Sequence, residues 1–156
     1  MAVLNMRGGK IADDRSYADW APRPALDDLS SAGPAPHSVA ERYVELYNTE
    51  PERFVRECYH VDYKVGAMGL GWYDDVEKFI DIEKLVFKAT PLRRMRADCI
   101  RVTRTTVIVE AAVVDSDRSP NWELPFVAAL EIRDDKIAVD RTYAELKKWP
   151  GIEGTI

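Results

Sequence analysis

The sequence lacks the features that mark membrane-spanning, secreted and nucleic-acid-binding proteins. No apolar run approaches the roughly 18 residues that a membrane span requires, and the N-terminus does not show the basic-then-apolar order of a signal peptide. The chain has 22 basic and 27 acidic residues, and its net charge is −5. We therefore expect no membrane and no nucleic acid as a partner.

Cysteine and histidine are both scarce, with two of each in the chain. Cys58 and Cys99 stand alone inside predicted elements, so we expect buried free thiols in a reducing, cytoplasmic compartment. No spacing of possible ligands resembles a zinc site, and we expect neither a metal nor an organic cofactor. The single basic cluster, Arg93–Arg96, is interpreted as the solvent face of a strand.

What is present fits one globular domain with an added segment. The chain has 156 residues, of which 46% are apolar and 31% charged, as is ordinary for a protein with a packed core. Residues 1–36 differ, because the stretch APRPALDDLSSAGPAP has no sustained apolar period. We predict an extended N-terminal arm over residues 1–36 and a folded domain over residues 37–156.

Three helices are predicted from apolar spacing and end signals. The first begins near Ser38, which has a glutamate three residues later at capping-box spacing, and it ends at about Asn48. The second begins at about Pro51, whose missing N–H costs nothing in a first turn. The third runs from about Asp74 to Thr90, with acidic residues in its first turn and a proline after its end.

The C-terminal half of the chain predicts a sheet. A short strand follows the second helix, and three or four long strands occupy about Leu92–Thr103, Thr106–Asp115, Asn121–Arg133 and Lys136–Ala144. Short polar links between them indicate antiparallel hairpins. Helices segregated from a run of strands predict an α+β fold, in which a curved antiparallel sheet wraps around the helices and forms a cone-shaped pocket.

This order of elements resembles a known family. The motifs that carry the resemblance are ERYVELYN (41–48), CYHVDY (58–63), LPFVAALEIRDDKIAVDRTYAE (124–145) and WPG (149–151). They are similar to the nuclear transport factor 2-like superfamily, a cystatin-like cone, and to its polyketide cyclase (SnoaL)-like branch. Ketosteroid isomerases, limonene epoxide hydrolases and diarylpropane lyases are more distantly similar. The resemblance covers about Ser38 to Gly151 and implies the fold, because this superfamily places many reactions in one pocket.

Matching residues one by one argues against two familiar reactions. Tyr43 matches the isomerase tyrosine that donates a hydrogen bond to a developing oxyanion. The general base of that family falls near Ala67, however, and its second oxyanion donor falls near Phe126 to Ala128. The Asp–Arg–Asp set of the epoxide hydrolases falls on side chains that cannot replace it, near Ala111, Val113 and Thr142.

Three acid–base candidates stand beside Tyr43. By strand alternation Asp140 faces the cavity, where apolar surroundings raise the pKa of a carboxyl toward neutral; the alternative is an ion pair at a rim or interface. Glu110, in the apolar stretch VIVEAAVV, is either a pocket acid or on the solvent face. His60 has the side chain that titrates nearest physiological pH, but it lies in a turn that is common in this fold.

The predicted pocket has aromatic walls. Tyr43 and Tyr47 lie four residues apart and therefore on one face of the first helix. The predicted substrate-binding residues are Tyr47, Tyr63, Trp122, Phe126, Phe87 and Thr142. The alternative for Tyr47 and Tyr63 is ordinary core packing with one edge in water.

These observations predict a cofactor-independent lyase rather than a simple binding protein. Its substrate would be a small hydrophobic, aromatic alcohol or diol, in the catabolism of aromatic compounds. The reaction would be a dehydration or an elimination, including release of a one-carbon fragment such as formaldehyde, by analogy with lyases of the superfamily. The alternatives are an isomerase or epoxide hydrolase with a rearranged site, and a non-catalytic small-molecule-binding or dimerisation domain. A homodimer through the outer face of the sheet is expected.

Overall fold

The computed structural model of the chain describes residues 2–7, 10–16, 34–67 and 71–152. Much of the predicted arm lies outside these ranges. Within it, β1 (Ala2–Arg7) and β2 (Lys10–Ser16) pair as an antiparallel hairpin, which the sequence pattern does not predict. The division into an arm and a domain at residues 36 and 37 stays a prediction.

Three helices lie close to where the apolar spacing predicts them, but the first begins at Pro34, four residues before the predicted start at Ser38. They are α1 (Pro34–Tyr47), α2 (Pro51–Cys58) and α3 (Val76–Ala89). The start of α3 is fixed by Asp75, whose carboxylate accepts hydrogen bonds from the backbone N–H groups of Glu77 and Lys78 at 3.0 and 3.1 Å. None of the helices in the described ranges is long and apolar enough to cross a membrane.

Six strands form one curved, open sheet in the order β4-β3-β8-β7-β6-β5. They are β3 (Tyr59–Ala67), β4 (Gly71–Tyr73), β5 (Arg94–Val102), β6 (Thr106–Val114), β7 (Glu123–Arg133) and β8 (Lys136–Ala144). The four long strands are antiparallel neighbours, whereas β3 runs parallel to β8. The predicted α+β class is confirmed, and the sheet is mixed rather than antiparallel throughout.

Side chains alternate between the two faces of this sheet. The concave face packs against the helices and carries Val107, Val109, Val113, Leu124, Ala128 and Leu130, all buried in the core. The convex face carries Ala112 and Val127, which are 1% and 0% exposed in the single chain. The homodimer through this outer face stays a prediction.

Arg93 departs from the interpretation of the basic cluster as a solvent face. Arg94 and Arg96 are exposed, but Arg93 is 0% exposed. Its backbone N–H donates to the carbonyl of Thr90 at 3.0 Å, so it ends the turn before β5, and its burial continues the alternation in which Met95 is buried and Arg94 and Arg96 are exposed. Its side chain therefore enters the core.

The two cysteines are free thiols, but only one matches the predicted burial. Cys58 lies in the core at the end of α2, whereas Cys99 is half-buried. Cys99 follows a register shift in β5, between Ala97 and Cys99. Because β5 is an edge strand of the sheet, this position is covered on one side only.

The C-terminal segment contributes Leu146, Trp149 and Ile152 to the wall of the cavity on the concave face. A short 3₁₀ helix, Leu146–Lys148, leads to Trp149, whose ring lies 5.5 Å from the ring of Phe126. Gly151 has φ +82°, and a Cβ there would lie 2.7 Å from the carbonyl oxygen of Leu85. Only glycine allows both this backbone conformation and this close approach to α3.

We therefore expect Gly151→Ala to lower the free energy of unfolding by about 2 kcal/mol or more, through strain and displacement of the segment. Gly71→Ala is the matched control, since Gly71 has φ +77° with nothing within 4 Å of an added Cβ, and it should cost only about 1 kcal/mol. Urea unfolding of both variants measures the difference. Equal losses would show that the contact with Leu85 is unimportant.

Candidate active site

A cavity lies on the concave face, between the sheet, the three helices and the C-terminal segment. The space open to the centre of a water molecule is about 80 Å³, well above the roughly 10–15 Å³ that one water needs. Half of the residues that line it are aromatic, namely Tyr43, Tyr47, Phe54, Tyr59, Tyr73, Phe79, Phe126 and Trp149. The polar side chains in the walls are few, so each one can orient a ligand.

Asp140 is the best-defined polar group of the cavity. It lies on β8, is 2% exposed, and accepts hydrogen bonds from the Tyr59 hydroxyl at 2.6 Å and the Thr142 hydroxyl at 3.0 Å. Burial raises the pKa of its carboxyl to about 6, although these two hydrogen bonds act in the opposite direction. A carboxyl that titrates there can both accept and release a proton near neutral pH.

The strands explain why these groups meet. Asp140 and Thr142 are opposite Leu130 and Ala128 of β7 in the antiparallel register. Alternation therefore directs both side chains to the concave face. Tyr59 begins β3 directly after α2, and its hydroxyl reaches Asp140 across the β3–β8 pair.

Tyr43 brings a second polar group into the cavity, from α1. Burial raises the pKa of its phenol well above the ordinary 10, and the nearby charge of Asp140 acts in the same direction. The phenol is therefore neutral at physiological pH and can donate a hydrogen bond to a substrate oxygen. The rings of Tyr43 and Tyr47 lie 5.3 and 5.4 Å from that of Phe54, which places both on the cavity side of α1.

A buried ion pair, absent from the sequence-based expectations, forms another part of the wall. Glu83 of α3 lines the cavity, and its carboxylate lies 3.2 Å from Nη2 of Arg93. The Arg93 guanidinium stacks 4.1 Å from the Tyr47 ring centre. Burial raises the pKa of Glu83, while Arg93 opposes that shift. A sequence signal existed, since Glu83 interrupts the apolar stripe of α3 between Phe79 and Val86.

Five predicted site residues come together in this cavity, namely Tyr43, Tyr47, Phe126, Asp140 and Thr142. Two predicted acid–base residues do not. Glu110 is buried but pairs in register with Val127, which places it on the convex face. His60 follows the inward Tyr59 and so points outward, where its Nδ1 accepts from the Asp62 N–H at 3.1 Å. Strand alternation excludes both from the cavity.

Three predicted substrate-binding aromatics also lie away from the cavity walls. Tyr63 is core packing, 5.5 Å from the Tyr59 ring and 5.8 Å from the Phe79 ring. Trp122 precedes β7 and stacks with Arg118 at 5.1 Å. Phe87 is half-buried next to the inward Val86 on α3. Within the described ranges, no group of three or more His, Cys, Asp or Glu side chains is placed to hold a metal ion.

Comparisons with known proteins address the fold. No protein-family profile matches the sequence, and no curated protein matches it. Solved structures do match. A protein assigned as a SnoaL-like polyketide cyclase from Jannaschia sp. CCS1 has a TM-score of 0.61 and 15% identity, over 75% of this chain and 92% of that one. IdmH, assigned as a polyketide cyclase from Streptomyces antibioticus, has a TM-score of 0.63 and 14% identity, over 73% and 94%.

A third structure extends the comparison to the isomerases. It is a protein with a ketosteroid isomerase-like fold from Catenulispora acidiphila, in complex with trimethylamine, with a TM-score of 0.59 and 14% identity over 71% of this chain and 88% of that one. The chain thus has the nuclear transport factor 2-like fold, and its structural neighbours include SnoaL-like proteins. The predicted resemblance is confirmed at the level of the fold.

The burial of Asp140 predicts a pH-dependent stability. Its pKa is 3.8 in the unfolded chain and about 6 in the folded one, so the unfolded state loses its proton first as the pH rises. The contribution of Asp140 to the free energy of unfolding is therefore fully present below pH ~4 and is lost as the pH rises through about 6. The loss is about 3 kcal/mol, at 1.36 kcal/mol per unit of pKa difference. Asp140→Asn lacks this titration.

Urea unfolding at intervals from pH ~3.5 to ~7 checks this pH dependence of the stability. The free energy of unfolding of the wild type, minus that of Asp140→Asn, should fall by about 3 kcal/mol over this range. A difference that stays constant with pH would contradict the raised pKa.

Proposed function

We propose that this chain is a cofactor-independent acid–base lyase that acts on a small hydrophobic, aromatic alcohol or diol. The observation that supports the proposal is the environment of Asp140. A carboxyl with a pKa of about 6 faces an aromatic cavity and is held by Tyr59 and Thr142. The fold alone does not determine which reaction is catalysed, so the proposal depends on these side chains.

Elimination of water is the reaction that this arrangement supports best. The ionised Asp140 removes a proton from the carbon next to the one that carries the hydroxyl. The electron pair of that C–H bond becomes the new double bond, and the C–O bond breaks. The departing hydroxyl leaves as water after it receives the proton that Asp140 has taken up. Side chains alone complete this proton balance, so the reaction requires no cofactor.

Tyr43 would stabilise the oxygen that gains charge during this reaction. Its phenol stays neutral because burial raises its pKa, so its O–H is available as a donor over the working pH range. A fixed donor in an apolar cavity stabilises developing charge more strongly than water does. The aromatic walls would bind the ring of the substrate and exclude bulk water.

Three related proposals use the same groups. Release of a one-carbon fragment such as formaldehyde would begin with removal of an O–H proton by Asp140 and cleavage of the C–C bond to that carbon. The electron pair of the C–C bond would become a new double bond as the hydroxyl on the next carbon leaves as water, with the proton that Asp140 has taken up. An isomerase would move a proton from one carbon to another through Asp140, and the isomerase-like fold of one neighbour favours this second candidate. A binding protein would use the same cavity without turnover.

The first test is a cofactor-free assay with a panel of aromatic diols and ketones, read by mass spectrometry. We expect Asp140→Asn to lower kcat by about 10²–10⁴-fold, because the proton acceptor is lost. Tyr43→Phe should lower it by about 10²-fold, because one donor to the charged oxygen is lost.

Asp115→Asn is the matched control for Asp140→Asn. Asp115 is also a buried aspartate, 3% exposed, but it does not line this cavity, so its variant should retain the wild-type kcat. Retention of turnover in both Asp140→Asn and Tyr43→Phe would remove this site from the reaction. Binding of the panel without any turnover would favour the binding protein.

The role of Asp140 as a base also fixes the pH dependence. Below its pKa of about 6 the carboxyl is protonated, and kcat/KM should fall about ten-fold per pH unit as the pH decreases. Above that pH it should level off. Measurement of kcat/KM from pH ~4.5 to ~8 tests this. A rate that instead rises on acidification would assign Asp140 the role of an acid.

A further inference from the structure

We propose that Glu83 and Tyr47, with Arg93 behind them, form a second subsite that binds a hydroxyl group of the substrate. The substrate would then carry oxygen functions at both ends of an apolar body, one at Asp140 and one at this hydroxyl subsite. The inference rests on the proposed function only in placing the reacting end of the substrate at Asp140.

The polar groups of the hydroxyl subsite are not explained by the packing of the chain. Arg93 is 0% exposed, yet its Nε and Nη1 have no hydrogen-bond partner among the described residues, and only Nη2 approaches Glu83. A buried ion pair with so few hydrogen bonds is weak evidence for a contribution to stability. A role in binding accounts for a charged pair placed against a cavity.

The donors and acceptors of the subsite match one kind of ligand group. The Tyr47 hydroxyl is buried in the cavity wall without a partner in the described part of the chain, so it can donate. The Glu83 carboxylate, which lies 3.2 Å from Nη2 of Arg93, accepts hydrogen bonds. A ligand hydroxyl both accepts and donates, and thus satisfies Tyr47 and Glu83 together. A ketone or ether oxygen would satisfy Tyr47 alone, and an ammonium group has no lone pair to accept from the Tyr47 hydroxyl.

The geometry of α1 separates the two polar ends. Tyr43, next to Asp140, and Tyr47, next to Glu83, are one helical turn apart, about 5.4 Å along the axis. Both rings pack on Phe54, and the wall between them is apolar. This spacing suits a ligand with one aromatic ring between its two oxygen functions.

The test compares the binding of two probes of nearly equal size. 4-(Hydroxymethyl)phenol has a hydroxyl at each end, and 4-methylbenzyl alcohol has a methyl group in place of the phenol hydroxyl. Titration calorimetry should show that the wild type binds the first about ten-fold more tightly, as a hydrogen bond to a charged group provides. In Tyr47→Phe and in Glu83→Gln this preference should fall to within about three-fold.

The control variants separate this inference from the lyase proposal. Tyr63→Phe also removes a buried tyrosine hydroxyl without a described partner, but Tyr63 lies outside the cavity walls, so the ten-fold preference should persist. The preference should also persist in Asp140→Asn, because this variant changes only the side chain at the reacting end of the substrate. Tyr47→Phe removes one oxygen atom, and its far-UV circular dichroism and urea unfolding show whether it is folded.

Two results would overturn the hydroxyl subsite. One is equal affinity of the wild type for both probes, including the case in which neither binds. The other is a preference that is unchanged in folded Tyr47→Phe. A preference that depends on Tyr47, in a protein that turns over no aromatic diol, would support the subsite and overturn the lyase.

Discussion

The hydrogen bond between Tyr59 and Asp140 is the interaction on which the site and part of the sheet depend. It joins the first residue of β3 to the middle of β8, across the only parallel strand pair in the described sheet. The register of that pair shifts after Tyr59, so a side-chain contact supports the pairing there. The same bond satisfies a buried carboxylate that would otherwise be costly in an apolar wall.

The remaining charges of the cavity follow from this burial. Desolvation raises the pKa of both Asp140 and Glu83, and the charge of Glu83 raises that of Asp140 further. Arg93 lies beside Glu83 and opposes the rise there. The two carboxyls differ in their partners, since Glu83 is paired with an arginine whereas Asp140 accepts hydrogen bonds from two hydroxyl groups.

The sequence was informative where a regular period applies. Helical spacing placed Tyr43 and Tyr47 together on α1, and strand alternation placed Phe126, Asp140 and Thr142 on one face. Both inferences need only local rules. The element order predicted the fold class for the same reason, since each helix and long strand has its own pattern and end signals.

Prediction from the sequence failed where no period applies or where the partner is distant. Tyr59 lies at the junction of α2 and β3, so neither helix nor strand spacing fixes its direction. Arg93 follows the strand period inward with Met95, and the interpretation of the whole cluster as a solvent face overlooked this period. Glu110 required the choice of a strand face, which the surrounding small apolar residues leave open. The parallel pairing of β3 with β8 joins segments far apart in the chain, and no local pattern specifies it.

The reaction must be derived from the cavity because the fold allows several. The structural neighbours share this cone at 14–15% identity, a level at which most cavity side chains differ between two proteins. The sequence resemblance places the isomerase base near Ala67 and the second donor near Phe126 to Ala128, which implies an incomplete isomerase set. In the reaction that we propose, Asp140 of β8 is the base instead, and it lines the same cavity as Tyr43. The proposed chemistry therefore follows from the position of the buried carboxyl, since the fold alone does not determine a reaction.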